Sequence, residues 1–216
     1  MPDCRPAPAG LYLSAVTARI TTPPGVHSVE GFLDRPTCEL VKAEMRACSH
    51  ARARVYDREW NHVEDAVYRS TLQVEVGESI NARVRGRLLD LRSPLSDRFG
   101  VELGDCQGPT FLIYKPGDFF EPHKDGSEKP NAPENVRRRR VSVVVFLSDE
   151  DEAGRPGEYA GGSLGIYGLL KDPRYKHIGI PLKGRAGLLV AFRSDVFHQV
   201  TPVTRGERFT VVGWYV

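Results

Sequence analysis

The spacing of apolar residues changes character once along this chain, near residue 109. Upstream, Cys38, Val41, Met45 and Cys48 recur every three or four positions behind Asp34, which is placed to cap a helix opening on Arg35-Pro36. This predicts a short amphipathic helix. From about Glu78 a longer stripe runs through Ile80, Val84, Leu88, Leu91 and Leu95, interrupted near Pro94, and predicts a second helix whose apolar face packs on a sheet. Between the two, residues 51–56 and 68–76 read as strands, the latter alternating around Thr71, Gln73 and Glu75. Downstream the segments become short and rich in β-branched and aromatic residues, at 111–114, 141–147, 163–167, 177–182, 186–192, 197–200 and 208–215, separated by Gly, Pro or charged turns. Seven short strands in a row imply a barrel or sandwich. The pair Gly161-Gly162 reads as a turn that frees the backbone from steric limits.

Residues 1–24 carry Pro2, Pro6, Pro8, Gly10, Pro23 and Pro24 with little apolar periodicity, and read as a leader, expected to be mobile, with one strand near 11–20. The remaining 25–216 read as a single domain, with 25–108 as helical support and outer strands and 109–216 as the strand-rich core; a 216-residue chain with 40% hydrophobic content suits that size. The formal net charge of +2 counts against a broadly basic nucleic-acid binder or a protein of anionic membranes. The apolar stretch near 11–18 is too short and polar for a secretory signal or a membrane span. Cys4, Cys38, Cys48 and Cys106 show no CxxC pairing, which points to reduced thiols and a cytoplasmic protein. The 30 basic residues comprise 7 Lys and 23 Arg, four of them consecutive at Arg137, Arg138, Arg139 and Arg140.

His123 and Asp125 stand two apart, so in an extended segment both side chains share one face. Alone, such a pair is an ordinary surface feature. His198, flanked by apolar Phe197 and Val200 late in the strand-rich half, is the candidate third partner. Two imidazoles and one carboxylate occupy one face of an octahedral Fe(II) and leave three positions for a bidentate cosubstrate and dioxygen. An open site of that kind needs an anion anchor. Arg208, at the head of the aromatic strand 208–215, offers a bidentate fork to a dicarboxylate such as 2-oxoglutarate.

Four linked blocks carry a resemblance. The run 114–125, from Tyr114-Lys115-Pro116-Gly117 to His123-Lys124-Asp125, is followed by 144–148, by Gly161-Gly162-Ser163-Leu164, and by 198–203 leading through Arg208 to Trp214. In order and spacing they resemble the prolyl 4-hydroxylase group of iron(II)/2-oxoglutarate dioxygenases over about residues 109–216, and more loosely upstream, where Gly31-Phe32-Leu33-Asp34 is similar to the segment before that family's first helix. The resemblance implies a mainly β fold with supporting α-helices, a double-stranded β-helix of the jelly-roll, cupin-like kind. It implies His123, Asp125 and His198 as the iron ligands and catalytic residues, with Arg208 holding the distal carboxylate of 2-oxoglutarate. Tyr114 matches a tyrosine that hydrogen-bonds the cosubstrate, and Trp214 an aromatic residue near the site; a core strand aromatic and a packing residue are their plain alternatives. Phe146 stands where some relatives carry a tyrosine and is assigned to pocket lining.

The activity so implied is hydroxylation of an unactivated C–H bond, with 2-oxoglutarate and O2 converted to succinate and CO2 and with ascorbate in support. A carboxylate at Asp125 fills the place that related halogenating enzymes leave for a halide, so hydroxylation is the expected outcome. A prolyl residue in a peptide or protein is the expected substrate. A free amino acid or other small-molecule substrate is the alternative enzyme reading, and a non-catalytic β-sandwich that binds a small ligand is the alternative of another class. A nucleic-acid dealkylase is disfavoured by the charge balance. The charged loops 52–65, 126–140, 149–160 and 168–178 are the expected substrate-facing pieces.

Overall fold

A computed structural model describes residues 25–170, 172, 174 and 177–216; the leader and its expected strand lie outside the described residues. After strand β1 (Val26–Val29) comes helix α1 (Arg35–Ala47), and the Asp34 carboxylate accepts from the Thr37 N–H at 2.8 Å as the cap requires. Cys38, Val41 and Met45 form its buried stripe, and the Cys48 N–H closes the helix on the Glu44 carbonyl at 3.0 Å. Four short strands follow, β2 (His50–Arg52), β3 (Val55–Tyr56), β4 (His62–Val63) and β5 (Arg69–Ser70), then β6 (Leu72–Val74).

Neither upstream strand is continuous as expected. The 68–76 segment breaks at Thr71, which is fully buried and donates its hydroxyl hydrogen to the Ile113 carbonyl at 2.9 Å. That side-chain bond lets the chain leave one sheet at β5 and join another at β6. The 51–56 segment likewise divides between β2 and β3. The long second helix is two helices, α2 (Glu78–Asp90) and α3 (Arg92–Phe99), with the change of direction at Leu91. Pro94 has no N–H and its ring would strike the carbonyl of Asp90 in a continuous helix, so the break falls three residues before the proline.

The remaining elements are β7 (Cys106–Tyr114), β8 (Phe119–His123), α4 (Glu134–Arg137), β9 (Val141–Phe146), β10 (Ala160–Gly161), β11 (Leu164–Ile166), β12 (Ile180–Leu182), β13 (Leu189–Arg193), β14 (His198–Val200), β15 (Val203–Arg205) and β16 (Arg208–Tyr215). Each of the seven downstream runs contains a strand. Strand β8 had no clear signal, because Glu121 and Pro122 interrupt its alternation.

These strands build a seven-stranded sheet, β1-β13-β9-β16-β7-β6-β2, and a five-stranded sheet, β12-β11-β14-β8-β5, with antiparallel pairing in both. From β7 the chain alternates between them: β7, β9, β13 and β16 lie in the larger, and β8, β11 and β14 in the smaller. That alternation is the double-stranded β-helix. All six residues of β9 are buried because the larger sheet is covered on both faces. Val141, Val143 and Val145 pack with the helices through Val41, Met45, Val84 and Leu88, while Val144 and Phe146 face inward to Leu164, Ile166 and Phe192. No helix among the described residues is long and apolar enough to cross a membrane.

Candidate metal centre and anion pocket

His123 ends β8 and His198 begins β14, and the two are cross-strand partners. Register alone therefore places their rings side by side, with centroids 4.1 Å apart. Over this ladder β8 carries one residue more than β14, since Phe120 faces Val200 while His123 faces His198. Pro122, which has no N–H to donate, lies within that bulge. Asp125 is beyond the end of the strand, not on a shared extended face. Its N–H and that of Gly126 both donate to the Ser194 carbonyl, at 3.1 and 2.8 Å, and this anchor turns its carboxylate back between the histidines.

Asp125 Oδ1 lies 3.7 Å from His123 Nε2, and its Oδ2 lies 3.4 Å from His198 Nε2. One ligand atom from each residue can be drawn from a set within 4.8 Å, and this is the only such group of His, Cys, Asp or Glu among the described residues. His123 Nδ1 meets the Glu121 carbonyl at 2.8 Å and His198 Nδ1 meets the Val196 carbonyl at 3.1 Å. A carbonyl at Nδ1 fixes the proton there and turns the Nε2 lone pair toward Asp125. The His123 ring stacks on Phe120 at 3.5 Å between centroids, with the Arg69 guanidinium on the same phenyl ring at 4.5 Å. Burial and then the His198 charge hold His123 down to about 3, so it is neutral. Burial opposes ionisation of Asp125, but the neighbouring histidines and a hydrogen bond from Ser142 prevail and keep it at about 2. The result is two imidazoles, their Nε2 lone pairs turned to one ionised carboxylate, a donor set that suits Fe(II) with open positions.

The second half of the site is an arginine without an anion. Arg208 is 1% exposed and faces Tyr114 across the β16–β7 ladder. Its guanidinium carbon is 4.9 Å from the Tyr114 ring centroid and 5.1 Å from that of Phe146. Nη1 donates to Thr210 at 3.3 Å, whereas Nε and Nη2 are buried and have no hydrogen-bond partner among the described residues. A buried cation left unpaired costs several kcal/mol, so this one calls for a bound anion.

Both halves open on one cavity of about 320 Å³, lined by His123, Asp125, His198, Arg208, Tyr114 and Trp214 together. Arg208, Thr210, Val212 and Trp214 reach it from β16 by ordinary strand alternation. The loop between β3 and β4 supplies Trp60 to the mouth at a left-handed φ of 65°, in a turn where the Asp57 carboxylate accepts from the Glu59 and Asn61 N–H groups.

Two residues with a place here had no sequence signal. Arg139 turns inward from the arginine run, with its guanidinium 3.9 Å over the Trp214 ring and its nitrogens donating to Gln107 at 2.9 Å and to the Asp125 carbonyl at 3.2 Å. Four like charges in a row give no sign of which one is drawn in. Tyr159, fully buried beside Phe146 and Arg208, sits in a stretch that reads as a charged loop.

The model of the 2OG-Fe(II) oxygenase superfamily matches residues 109–216. A PKHD-type hydroxylase of Klebsiella pneumoniae is 29% identical over 150 residues, covering 69% of this chain and 61% of that protein. One of Shewanella sp. (strain ANA-3) is 33% identical over 141 residues, covering 65% and 54%. The chain thus matches between 38% and 61% of the length of curated relatives of this type. Among solved structures, a Pseudomonas putida prolyl-4-hydroxylase superposes with a TM-score of 0.60 at 24% identity, over 88% of this chain and 91% of the other. A prolyl hydroxylase from Trichoplax adhaerens, in complex with a hypoxia inducible factor oxygen degradation domain peptide fragment, gives 0.65 at 17% identity over 88% and 83%. The structural likeness establishes the double-stranded β-helix; the family match covers the half of the chain that holds the histidines, the aspartate and the arginine, and the chain belongs to the 2OG-Fe(II) oxygenase superfamily.

Proposed function

We propose that this protein is an Fe(II)- and 2-oxoglutarate-dependent hydroxylase acting on a prolyl residue of a peptide or protein. The observation that carries this reading is the buried Arg208, with two nitrogens unpartnered, on the same cavity as the His123, Asp125, His198 group. His123, Asp125 and His198 would hold Fe(II), and Arg208 would take the distal carboxylate of 2-oxoglutarate, with Tyr114 beside it. When bound, the iron supplies the chemistry: oxidative decarboxylation of 2-oxoglutarate by O2 to succinate and CO2, with one oxygen atom passed to a C–H bond of the substrate.

The chain's own part is geometric. The carbonyls of Glu121 and Val196 keep the Nε2 lone pairs aimed inward, and Ser194 holds the Asp125 backbone in place. Leu112, Val144, Leu164 and Val200, from the inner faces of the two sheets, give the cavity apolar walls. Trp214 and Arg139 form the wall against which a substrate would lie. The four relatives and neighbours described above are named as PKHD-type or prolyl hydroxylases, one of them holding a peptide, which supports a peptide or protein substrate over a free amino acid. Ascorbate is assigned the usual supporting role of keeping iron reduced. The unpaired Cys38, Cys48 and Cys106 suit a cytoplasmic setting.

The reading is tested by incubating the iron-loaded protein with 2-oxoglutarate, ascorbate and a set of proline-containing peptides. Succinate release that rises with a peptide and not with free proline is expected. Turnover of the free amino acid alone would favour a small-molecule hydroxylase, and absence of succinate under every condition would leave only a ligand-binding fold.

A further inference from the structure

The partnerless buried polar atoms among the described residues include three at one place: Arg208 Nε, Arg208 Nη2 and the hydroxyl of Tyr159. Tyr159 is fully buried, and its backbone is fixed at both groups, the N–H donating to the Asp149 carbonyl at 3.1 Å and the carbonyl accepting from Asp151 at 2.7 Å. Two glycines make room for it. A Cβ at Gly162 would stand 3.0 Å from Arg208 Cδ and 3.4 Å from the Tyr159 ring, so the arginine stem and the phenol are neighbours. A Cβ at Gly184 would collide with the Tyr159 hydroxyl and stand 2.6 Å from the Phe146 ring, so no side chain fits there without displacing that hydroxyl. Phe146 has no hydroxyl to offer. A buried hydroxyl whose hydrogen has no acceptor is costly, and phenylalanine at this position would avoid that cost.

We infer that Tyr159 binds the cosubstrate, its hydroxyl donating to the same distal carboxylate that Arg208 grips; the inference rests on the 2-oxoglutarate reading above. Burial pushes the pKa of this phenol up, against the opposing charge and side-chain contact of Arg208, so it remains a protonated donor near neutrality. The anion pocket is then an arginine from β16 and a phenol from the loop ahead of β10, each leaving a hydrogen-bonding group free for the ligand.

The test is calorimetric titration of 2-oxoglutarate, and of pyruvate as a 2-oxo acid without the distal carboxylate, into the zinc-loaded wild type and Tyr159→Phe. The variant should bind 2-oxoglutarate roughly 10- to 100-fold more weakly, the loss of one hydrogen bond to a charged acceptor. It should bind pyruvate as the wild type does, and the metal-free variant should melt no lower. Equal affinity for 2-oxoglutarate, or an equal loss for both acids, would overturn the inference. Wild type that binds no 2-oxoglutarate at all would instead defeat the proposed function.

A different observation carries a second inference. A cleft of about 610 Å³ beside the mouth is lined by Arg137, Arg138, Arg140 and Arg193, with Glu128 and Glu134 as its only acidic lining residues among those described. Ser127 lines both this cleft and the metal-site cavity, so a chain leaving the cavity at that residue enters the cleft. Arg137, Arg138 and Arg140 are exposed and form no ion pair among the described residues. The geometry points to an acidic segment of the protein substrate, flanking the modified residue, as the occupant; this rests on the peptide-substrate reading.

NMR titration of short oligoglutamate and oligolysine peptides, and of a single-stranded oligonucleotide, discriminates the occupants. Oligoglutamate should shift the amides of residues 127–140 in the wild type. The Arg137→Glu/Arg138→Glu/Arg140→Glu variant should bind it about 10-fold or more weakly, with 2-oxoglutarate affinity unchanged. Equal binding of oligoglutamate and oligolysine, tighter binding of the oligonucleotide, or an unaffected variant would overturn it.

Discussion

Asp125→Ala is expected to abolish iron-dependent succinate formation while leaving the fold intact. The carboxylate is the only anion in the ligand group, and it sits 3.4 and 3.7 Å from the two Nε2 atoms. Removing it leaves two imidazoles, with no anionic ligand, facing a divalent cation. Loss of a residue that merely orients a ligand costs about 10- to 100-fold in metal affinity, so loss of the ligand itself should exceed ~100-fold. The backbone anchor to Ser194 uses the N–H groups of residues 125 and 126, not the carboxylate, so the loop should keep its path. Iron content after dialysis and the melting temperature together check this. A variant that retains iron and turns over like the wild type would remove Asp125 from the site.

Arg208→Met should produce the second large effect, and it separates a binding role from a packing one. Methionine keeps most of the volume and removes the charge. With the guanidinium gone, the distal carboxylate loses a buried, charge-assisted partner worth at least about 2 kcal/mol, so the Michaelis constant for 2-oxoglutarate should rise ~30-fold or more. Stability should move the other way. In the absence of the cosubstrate the wild type buries a cation with two nitrogens unpartnered, so the variant should melt at the same temperature or higher. Wild-type protein should gain about 2.7 kcal/mol at 2-oxoglutarate one hundred times its dissociation constant, and the variant should gain almost nothing at that concentration. An unchanged Michaelis constant, or equal stabilisation of both proteins, would break the link between Arg208 and the cosubstrate.

The parts of the molecule legible in the sequence are those where one local pattern dominates. Val141 to Phe146 is an unbroken run of small and apolar residues because the sheet there is covered on both faces. Arg208 to Trp214 points alternate side chains into the cavity, so parity alone groups Arg208 with Trp214. The His-x-Asp pair was visible, but its geometry was not, because Asp125 owes its position to a distant carbonyl at Ser194. Long-range bonds account for the other differences too. Thr71 divides an apparent strand by bonding to Ile113, and Pro94 acts on the helix at Leu91. Arg139 and Tyr159 were illegible for a related reason: what draws each inward is a partner far along the chain, Trp214 in one case and the Arg208–Gly184 surroundings in the other.

The most direct measurement follows the oxygen atom. Iron-loaded protein is supplied with 2-oxoglutarate and isotopically labelled dioxygen, together with proline-containing peptides and cell-lysate proteins, and the products are read by mass spectrometry. The account predicts that a peptide or protein acceptor gains one labelled oxygen on a prolyl residue, in proportion to labelled succinate, and that neither forms with Asp125→Ala. Iron-loaded protein that releases no succinate, or an acceptor whose added oxygen does not depend on 2-oxoglutarate, would contradict it.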